Sequence, residues 1–190
     1  MRDARSRPRS RRAFLAAGLA LGLTVLQAGC APEFVLPSTD VQFELEGRLA
    51  IRYRKEGASG NLAWRHSERT DEMMLTSPVG QGLARLVRQD GEVVLTLQDG
   101  RVLRATDAEA LTEQALGFRI PLAGLAEWVR GRLAPAPPPV REVRDGQDRL
   151  IELEQAGWTI RFLDYEGRIP LRLHLTYPDV ELRLAISAWK

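Results

Sequence analysis

From Val41 to the end of the chain, apolar residues recur at every second position over most of the sequence. In the first such run Phe43, Leu45, Leu49 and Ile51 alternate with residues that are mostly charged. When the period is two, successive side chains lie on opposite faces of a strand, so one face is expected to be buried and the other solvated. Strands of this kind are stable only when they pair into a sheet whose apolar face is covered, which restricts this region to an antiparallel β fold.

The same alternation returns in a series of short segments separated by turn residues. Asp90-Gly91 and Asp99-Gly100 are strong hairpin signals, and Gly57 and Gly60 are expected to bracket the turn before a second strand over residues 61–65. The remaining predicted strands cover residues 72–77, 81–89, 92–98, 101–105, 149–155, 157–165, 170–177 and 180–189.

The period changes between these two groups of strands. Asp107 is suited to cap a helix over residues 108–116, and Pro121 is suited to the start of a second helix that ends at Gly131. Residues 134–139, Ala-Pro-Ala-Pro-Pro-Pro, are expected to form an extended connector. Ten or eleven strands around this insertion predict a sheet long enough to curl, with the two helices covering its concave face. An apolar cavity remains there if side chains do not fill the interior.

The first 29 residues have a different character. Residues 1–12 carry six arginines and one aspartate, and an apolar run over residues 13–26 and small residues follow before Cys30. This is the layout of a secretory signal peptide, and the apolar run is short for a transmembrane helix. Residues 10–15, Ser-Arg-Arg-Ala-Phe-Leu, also resemble a twin-arginine export signal, although a plain basic leader is the preferred interpretation.

Cys30 is the single cysteine of the chain, and the small residues before it resemble a lipobox, in which the cysteine is acylated and becomes the mature N-terminus. Gln27 departs from the aliphatic residue usual at its position, and a secreted protein with a free thiol is the alternative. The lipoprotein interpretation is preferred, because a bare thiol is unusual in an oxidising compartment. The predicted domains are a signal peptide over 1–29, a lipidated tether over 30–40 and a β domain over 41–190.

Charge and residue chemistry exclude several classes of function. The whole chain has a formal net charge of +2, so removing residues 1–12 leaves a net charge of −3 and no electrostatic case for nucleic-acid binding. His66, expected in a polar turn, and His174, expected on the opposite strand face from its leucine neighbours, cannot form a zinc site or nucleophile system with Cys30. The acidic residues are interpreted as solvated. Neither an enzyme nor a metal or cofactor is therefore expected.

Several short motifs downstream of Cys30 resemble, in their order and spacing, the LolB family of outer-membrane lipoprotein receptors. The matching segments run through nearly the whole predicted β domain: Gly47-Arg48-Leu49-Ala50, the strand of Trp64, Leu75-Thr76-Ser77-Pro78-Val79-Gly80, Asp107-Ala108-Glu109, the Pro121-Leu122 helix with Trp128-Val129-Arg130-Gly131, Gly157-Trp158, and Ile186 to Trp189.

This resemblance implies a mainly β fold, a single antiparallel unclosed β-barrel of about eleven strands with a short helical lid. The interior would accept the acyl chains of lipoprotein cargo from a LolA-type periplasmic chaperone and release them into the outer membrane, where acylated Cys30 would anchor the protein in the periplasmic leaflet. A monomer without cofactor, metal or nucleic acid is implied. The alternatives are an envelope lipoprotein of the same fold that carries another lipid, or a structural envelope lipoprotein.

The resemblance also implies two sets of site residues. In the family a protruding loop exposes an apolar residue, usually leucine, that is important for membrane insertion; Val79 has this position here, between Pro78 and Gly80. The acyl-chain cavity is expected to be lined by apolar residues of the strands and lid: Leu49, Ile51, Leu62, Trp64, Leu75, Leu95, Leu122, Leu125, Trp128, Trp158, Ile160, Leu173, Leu184 and Ile186.

Overall fold

The computed structural model describes residues 40–190, so the predicted signal peptide, Cys30 and nearly all of the predicted tether lie outside the described residues. Within this part of the chain there are two helices and eleven strands. In chain order they are β1 (Val41–Tyr53), β2 (Glu56–Ser67), β3 (Asp71–Thr76), β4 (Gly82–Gln89), β5 (Glu92–Leu97), β6 (Val102–Ala105), α1 (Ala108–Leu116), α2 (Leu122–Trp128), β7 (Arg141–Arg144), β8 (Leu150–Gln155), β9 (Trp158–Glu166), β10 (Ile169–Tyr177) and β11 (Val180–Trp189).

All eleven strands form one antiparallel sheet in the order β6-β5-β4-β3-β2-β1-β11-β10-β9-β8-β7. The pairing of β1 with β11 joins the first group of strands to the last, and β6 and β7 are left as the two edges. Each edge strand has only four residues, which limits edge-to-edge association with other chains. The predicted unclosed antiparallel barrel with a helical lid is confirmed.

The alternation in sequence places a continuous apolar row on the inner face of the sheet. Leu45, Trp64, Met73, Leu86 and Leu95 occupy successive register positions across β1 to β5. The two helices, which follow β6, cover this face. Neither of them is long and apolar enough to cross a membrane.

The lid helices pack their buried residues against the inner face of the sheet. Leu111 of α1 and Leu122 of α2 lie in one apolar cluster with Leu86 and Leu95. The helix boundaries follow the predicted signals in α1, where the Asp107 carboxylate accepts a hydrogen bond from the backbone N–H of Glu109 at 2.9 Å. The second helix is shorter than predicted, because it ends at Trp128 instead of Gly131.

The first hairpin differs from the sequence-based prediction. The turn lies at Arg54 and Lys55, and Gly57 and Gly60 are part of β2, so the predicted turn between those glycines is wrong. At Gly60 a Cβ atom would lie 2.4 Å from the carbonyl oxygen of Thr76. The glycine therefore serves a close approach of β3 to β2 and not a change of direction.

A buried glutamine fixes the connector between α2 and β7. Gln155 of β8 is fully buried. Its Oε1 accepts hydrogen bonds from Trp128 Nε1 and the Ala134 backbone N–H, each at 2.9 Å. Its Nε2 donates to the carbonyl oxygens of Ala134 at 2.8 Å and Pro137 at 2.7 Å. One side chain thus holds the last turn of the lid and the proline-rich segment against the sheet.

Candidate functional site

An apolar cavity of about 150 Å³ lies between the lid and the concave face of the sheet. Strands from both halves of the sheet line the same space, which confirms that the sheet curls. The lining residues are Leu49, Ile51, Leu62, Trp64, Met73, Leu75, Ala84, Leu86, Leu95, Leu97, Leu175, Leu182 and Leu184 from the strands, and Thr112, Leu116, Ile120, Leu122 and Leu125 from the lid.

The two lining side chains that carry polar atoms have those atoms engaged elsewhere. The Thr112 hydroxyl donates to the Glu109 carbonyl oxygen and accepts from the Ile120 backbone N–H, both at 2.9 Å. Trp64 Nε1 donates to Asp71 Oδ1 at 2.9 Å. The cavity therefore offers hydrocarbon surface and no free hydrogen-bonding group, which favours an apolar ligand and penalises a polar one.

Asp71 organises a buried polar cluster behind Trp64. Its exposed fraction is 2%, and it also contacts His66 Nδ1 at 2.6 Å and Arg88 Nε at 2.5 Å. Burial by itself would raise the pKa of Asp71, but hydrogen bonds from His66 and Trp64 and the charge of Arg88 together hold it below its usual value. Because an ionised carboxylate only accepts hydrogen bonds, His66 Nδ1 carries a proton and donates it.

These contacts correct two expectations. His66 lies in β2, is buried, and stacks on Phe43 with ring centroids 4.8 Å apart, so its placement in a polar turn is wrong. Asp71 and Glu72 are buried ion-pair partners and not solvated carboxylates; Glu72 is 1% exposed and lies 2.6 Å from Arg85.

The Asp71 cluster makes the stability of the fold sensitive to acid. Since the folded-state pKa of Asp71 is depressed, its ionised form stabilises the protein at pH values above about 4, the ordinary value for an aspartate. This contribution is lost as pH falls below that value through the folded-state pKa. In denaturant unfolding across the acidic range, the free energy of unfolding is expected to fall less steeply with decreasing pH in Asp71→Asn than in the wild type.

The exposed outer-face carboxylate of Asp164 provides the control, and Asp164→Asn is expected to keep the wild-type dependence on pH. If Asp71→Asn lost stability with acid as steeply as the wild type, other carboxylates would account for the effect.

Of the fourteen residues predicted to line an acyl-chain cavity, nine line the cavity beneath the lid: Leu49, Ile51, Leu62, Trp64, Leu75, Leu95, Leu122, Leu125 and Leu184. The structure does not bring the other five to it. They lie in the packed core, where the ring of Trp128 and side chains of β8 to β11 fill the interior: Trp128, Trp158, Ile160, Leu173 and Ile186. Whether any of these residues contacts an acyl chain remains a prediction.

Sequence reasoning missed half of the lining residues. Most of them have inward positions in the same period-two pattern, which was the signal that could have identified them. They are Met73, Ala84, Leu86, Leu97, Thr112, Leu116, Ile120, Leu175 and Leu182.

The lid closes over the cavity through a small set of contacts. The rings of Phe118, between the helices, and Tyr53, at the end of β1, lie 5.2 Å apart. Arg119 lies 3.4 Å from Asp107 and 3.6 Å from Glu113, pairs that are internal to the lid and largely exposed. Exposed pairs of this kind contribute little, so apolar contacts hold the lid closed.

The loop between β3 and β4 projects an apolar side chain into solvent. Val79 is 89% exposed, and Pro78 and Gly80 are also exposed. The base of the loop is braced, because the Ser77 N–H donates to the Gln81 carbonyl oxygen at 2.7 Å and Ser77 Oγ accepts from the Gln81 N–H at 3.1 Å. Gly80 has φ of +85°, which suits glycine at the end of this turn. Val79 therefore lies at the tip of a loop whose base is held by hydrogen bonds.

Residues 40–190 contain no group of three or more histidine, cysteine or acidic side chains placed to hold a metal ion. His174 lies on the outer face of β10, as predicted, away from the cavity.

Comparison with known proteins gives consistent matches over this region. A family model described as outer membrane lipoprotein LolB matches residues 41–189. An outer-membrane lipoprotein LolB of Thiobacillus denitrificans is 41% identical over 150 residues, covering 77% of this chain and 78% of that protein. Another, of Nitrosomonas europaea, is 34% identical over 192 residues and 90% of each protein is covered. Among solved structures, a LolA superfamily protein of Nitrosomonas europaea aligns with a TM-score of 0.44 at 10% identity, over 77% of this chain and 85% of that chain.

Proposed function

Because the chain belongs to the LolB family of outer-membrane lipoproteins, we propose that it resides in the outer membrane, accepts lipoproteins from a LolA-type chaperone and inserts them into that membrane. The observation that carries the proposal is a cavity lined only by hydrocarbon, in which the polar atoms of Thr112 and Trp64 are bonded elsewhere. A role in lipid transfer and not in catalysis fits the histidines, since His66 is buried in an ion-pair cluster and His174 faces outward.

The energetics of transfer need no nucleotide. Acyl chains in water carry a hydration penalty of about 0.8 kcal/mol for each methylene, and an apolar cavity removes most of it. Cargo moves spontaneously if the receptor binds the chains more tightly than the chaperone does and the bilayer binds them more tightly still. Acylation of Cys30 would hold the receptor at the membrane, since one short hydrocarbon anchor is marginal and several are stable.

The size of the cavity implies that the lid moves. Ligand sites usually have volumes of about 300–1,000 Å³, whereas this cavity has about 150 Å³. A long acyl chain would therefore enter only if the lid separates from the sheet. Phe118 against Tyr53 is a contact that such a movement would break.

A cargo-transfer assay tests the proposal. The mature lipidated protein is reconstituted into vesicles, and a LolA-type chaperone loaded with a lipoprotein is added. We expect cargo to reach the vesicles only when the protein is present. Binding of a fluorescent fatty acid without transfer of lipoprotein would indicate a carrier of another lipid, and the absence of both would indicate a structural lipoprotein.

Val79 is expected to act in delivery and not in acceptance. Val79→Glu should leave the amount of cargo taken from the chaperone unchanged and slow delivery about fivefold, because roughly 1 kcal/mol of apolar burial in the bilayer is lost. Val79→Leu should deliver at least as fast as the wild type. The assay above measures both steps when chaperone-bound and vesicle-bound cargo are separated.

Val140→Glu is the matched control, since Val140 is another valine that is 84% exposed, in the connector before β7. Normal delivery by Val79→Glu, or an equal loss in Val140→Glu, would contradict a specific role for the loop.

A further inference from the structure

The outer face of the sheet carries a second concave feature, a groove of about 440 Å³ across β1, β11 and β10. Its floor includes Ala50 and Ala185, whose short side chains leave the space open. We call it the Arg48 groove, and its basic side chains are those of Arg48, Arg172, His174 and Arg183. No acidic side chain lines it. The groove is therefore a cationic site on the face opposite the hydrocarbon cavity.

Two of the four basic side chains are free to bind a ligand. Arg183 lies 2.5 Å from Glu181, and His174 Nε2 lies 2.9 Å from the same carboxylate, although without hydrogen-bond geometry. By contrast, Arg48 has no ion pair or side-chain hydrogen bond among the described residues. Arg172 has only Asp164 at 3.8 Å, with both side chains largely exposed.

The register of the sheet places these two arginines on either side of a small residue. Arg172 pairs with Ala185, and Ala185 pairs with Arg48. Since neighbouring strands are about 4.8 Å apart, the two Cα atoms are separated by about 10 Å with the alanine between them. Two long side chains can therefore converge on one group above Ala185. Guanidinium groups match the oxygens of a phosphate in this way, by paired charge-assisted hydrogen bonds.

The same register row leads to the Val79 loop. Arg48 pairs with Asn61, and Asn61 pairs with Thr76, which directly precedes the loop. The groove thus begins about 10 Å from the base of the loop. An exposed apolar residue, Leu163, also lines the groove and is 64% exposed. Between the two exposed apolar side chains lie Arg48, which has no ion pair within the described part of the chain, and Arg172, which has only a long and exposed one. Such a surface is complementary to a bilayer that has anionic headgroups.

We propose that the Arg48 groove binds the phosphate of an anionic phospholipid headgroup at the membrane that the Val79 loop enters. The groove would orient the receptor so that the loop points into the bilayer during delivery. This inference rests on the proposed function for the presence of the membrane, and on the groove itself for the headgroup.

Photolabelling in vesicles tests the inference on the mature lipidated protein. A phosphatidylglycerol analogue with a photoactivatable headgroup is included at trace level, and a phosphatidylcholine analogue is used in a parallel arm. Mass spectrometry is expected to find the phosphatidylglycerol label on peptides of β1 and β10. Arg48→Gln combined with Arg172→Gln should reduce this labelling about 25-fold, at about fivefold for each arginine near an anionic surface.

Arg101→Gln combined with Arg104→Gln removes the same charge at exposed positions at the β6 edge of the sheet, away from the groove, and should leave the labelling unchanged. An equal loss in this control would overturn the inference, because bulk charge would then explain binding. Displacement of the label by the loaded chaperone would assign the groove to an acidic protein surface and would also overturn the inference.

Cargo transfer in the same vesicles separates the two proposals. Normal transfer with no groove labelling would remove only this inference. Groove labelling without any transfer by the wild type would remove only the proposed function.

Discussion

Ala84→Trp is expected to reduce the affinity for a fluorescent long-chain fatty acid about 10- to 100-fold and to stop cargo acceptance. Ala84 lies on the inner face of β4, between Leu75 of β3 and Leu97 of β5, and it lines the cavity. An indole ring at this position would occupy most of a space of about 150 Å³. A ligand could then enter only by displacing well-packed side chains, and overpacking of this kind typically costs about 1–3 kcal/mol.

Thr96→Trp is the matched control for this substitution. Thr96 lies on β5 between two lining residues, but it is exposed and points to the opposite face. The same large ring there should leave fatty-acid affinity unchanged. Circular dichroism and denaturant unfolding would show whether both variants retain the fold. Wild-type affinity in a folded Ala84→Trp would mean that acyl chains bind elsewhere.

Gln155→Leu is expected to lower the free energy of unfolding by about 3–5 kcal/mol. Leucine fills a similar volume but removes all four hydrogen bonds made by the glutamine. Trp128 Nε1 and the backbone groups of Ala134 are buried and would lose their partners, and each such loss typically costs about 1–3 kcal/mol. Because Trp128 ends the lid helix, the variant should also loosen the lid.

Denaturant unfolding at neutral pH measures the effect of Gln155→Leu. Gln147→Leu is the control, since Gln147 is exposed in the turn between β7 and β8 and its side chain makes no hydrogen bond among the described residues. It should change stability by less than about 0.5 kcal/mol. A comparably small effect of Gln155→Leu would show that water satisfies the groups that the glutamine now binds.

The buried contacts of Asp71 and Gln155 show what could not be predicted from the sequence. The alternation and the Asp107 cap depend on neighbours in the chain. They predicted most of the strands and the first helix closely, although β2 is longer than predicted and β7 was not predicted. Asp71 and Gln155 resemble any surface acid or amide in sequence. Asp71 pairs with Arg88, 17 residues away, and Gln155 bonds to the buried Trp128, 27 residues away, so only the folded sheet reveals these contacts.

The cavity was predictable in kind but not in extent. Period-two alternation identifies which residues face inward, yet it does not distinguish an inward residue that lines a void from one that fills the core. Trp158 and Leu62 have equivalent inward positions, and only Leu62 reaches the cavity. Which inward residues line the cavity depends on how the lid helices pack, because Trp128 fills one end of the interior and leaves the other end open.

Because the sheet has two free edges, the width of its interior can change. In a sealed cylinder every strand is hydrogen-bonded on both sides, so its circumference is fixed by the strand count. Here β6 and β7 each keep one unpaired side and are joined through the helices. The sheet can therefore open between β6 and β7 without breaking any hydrogen bonds between strands. Ligands with different numbers or lengths of hydrocarbon tails could then share one cavity, at a cost set by the contacts of the helices and of the connector that Gln155 holds.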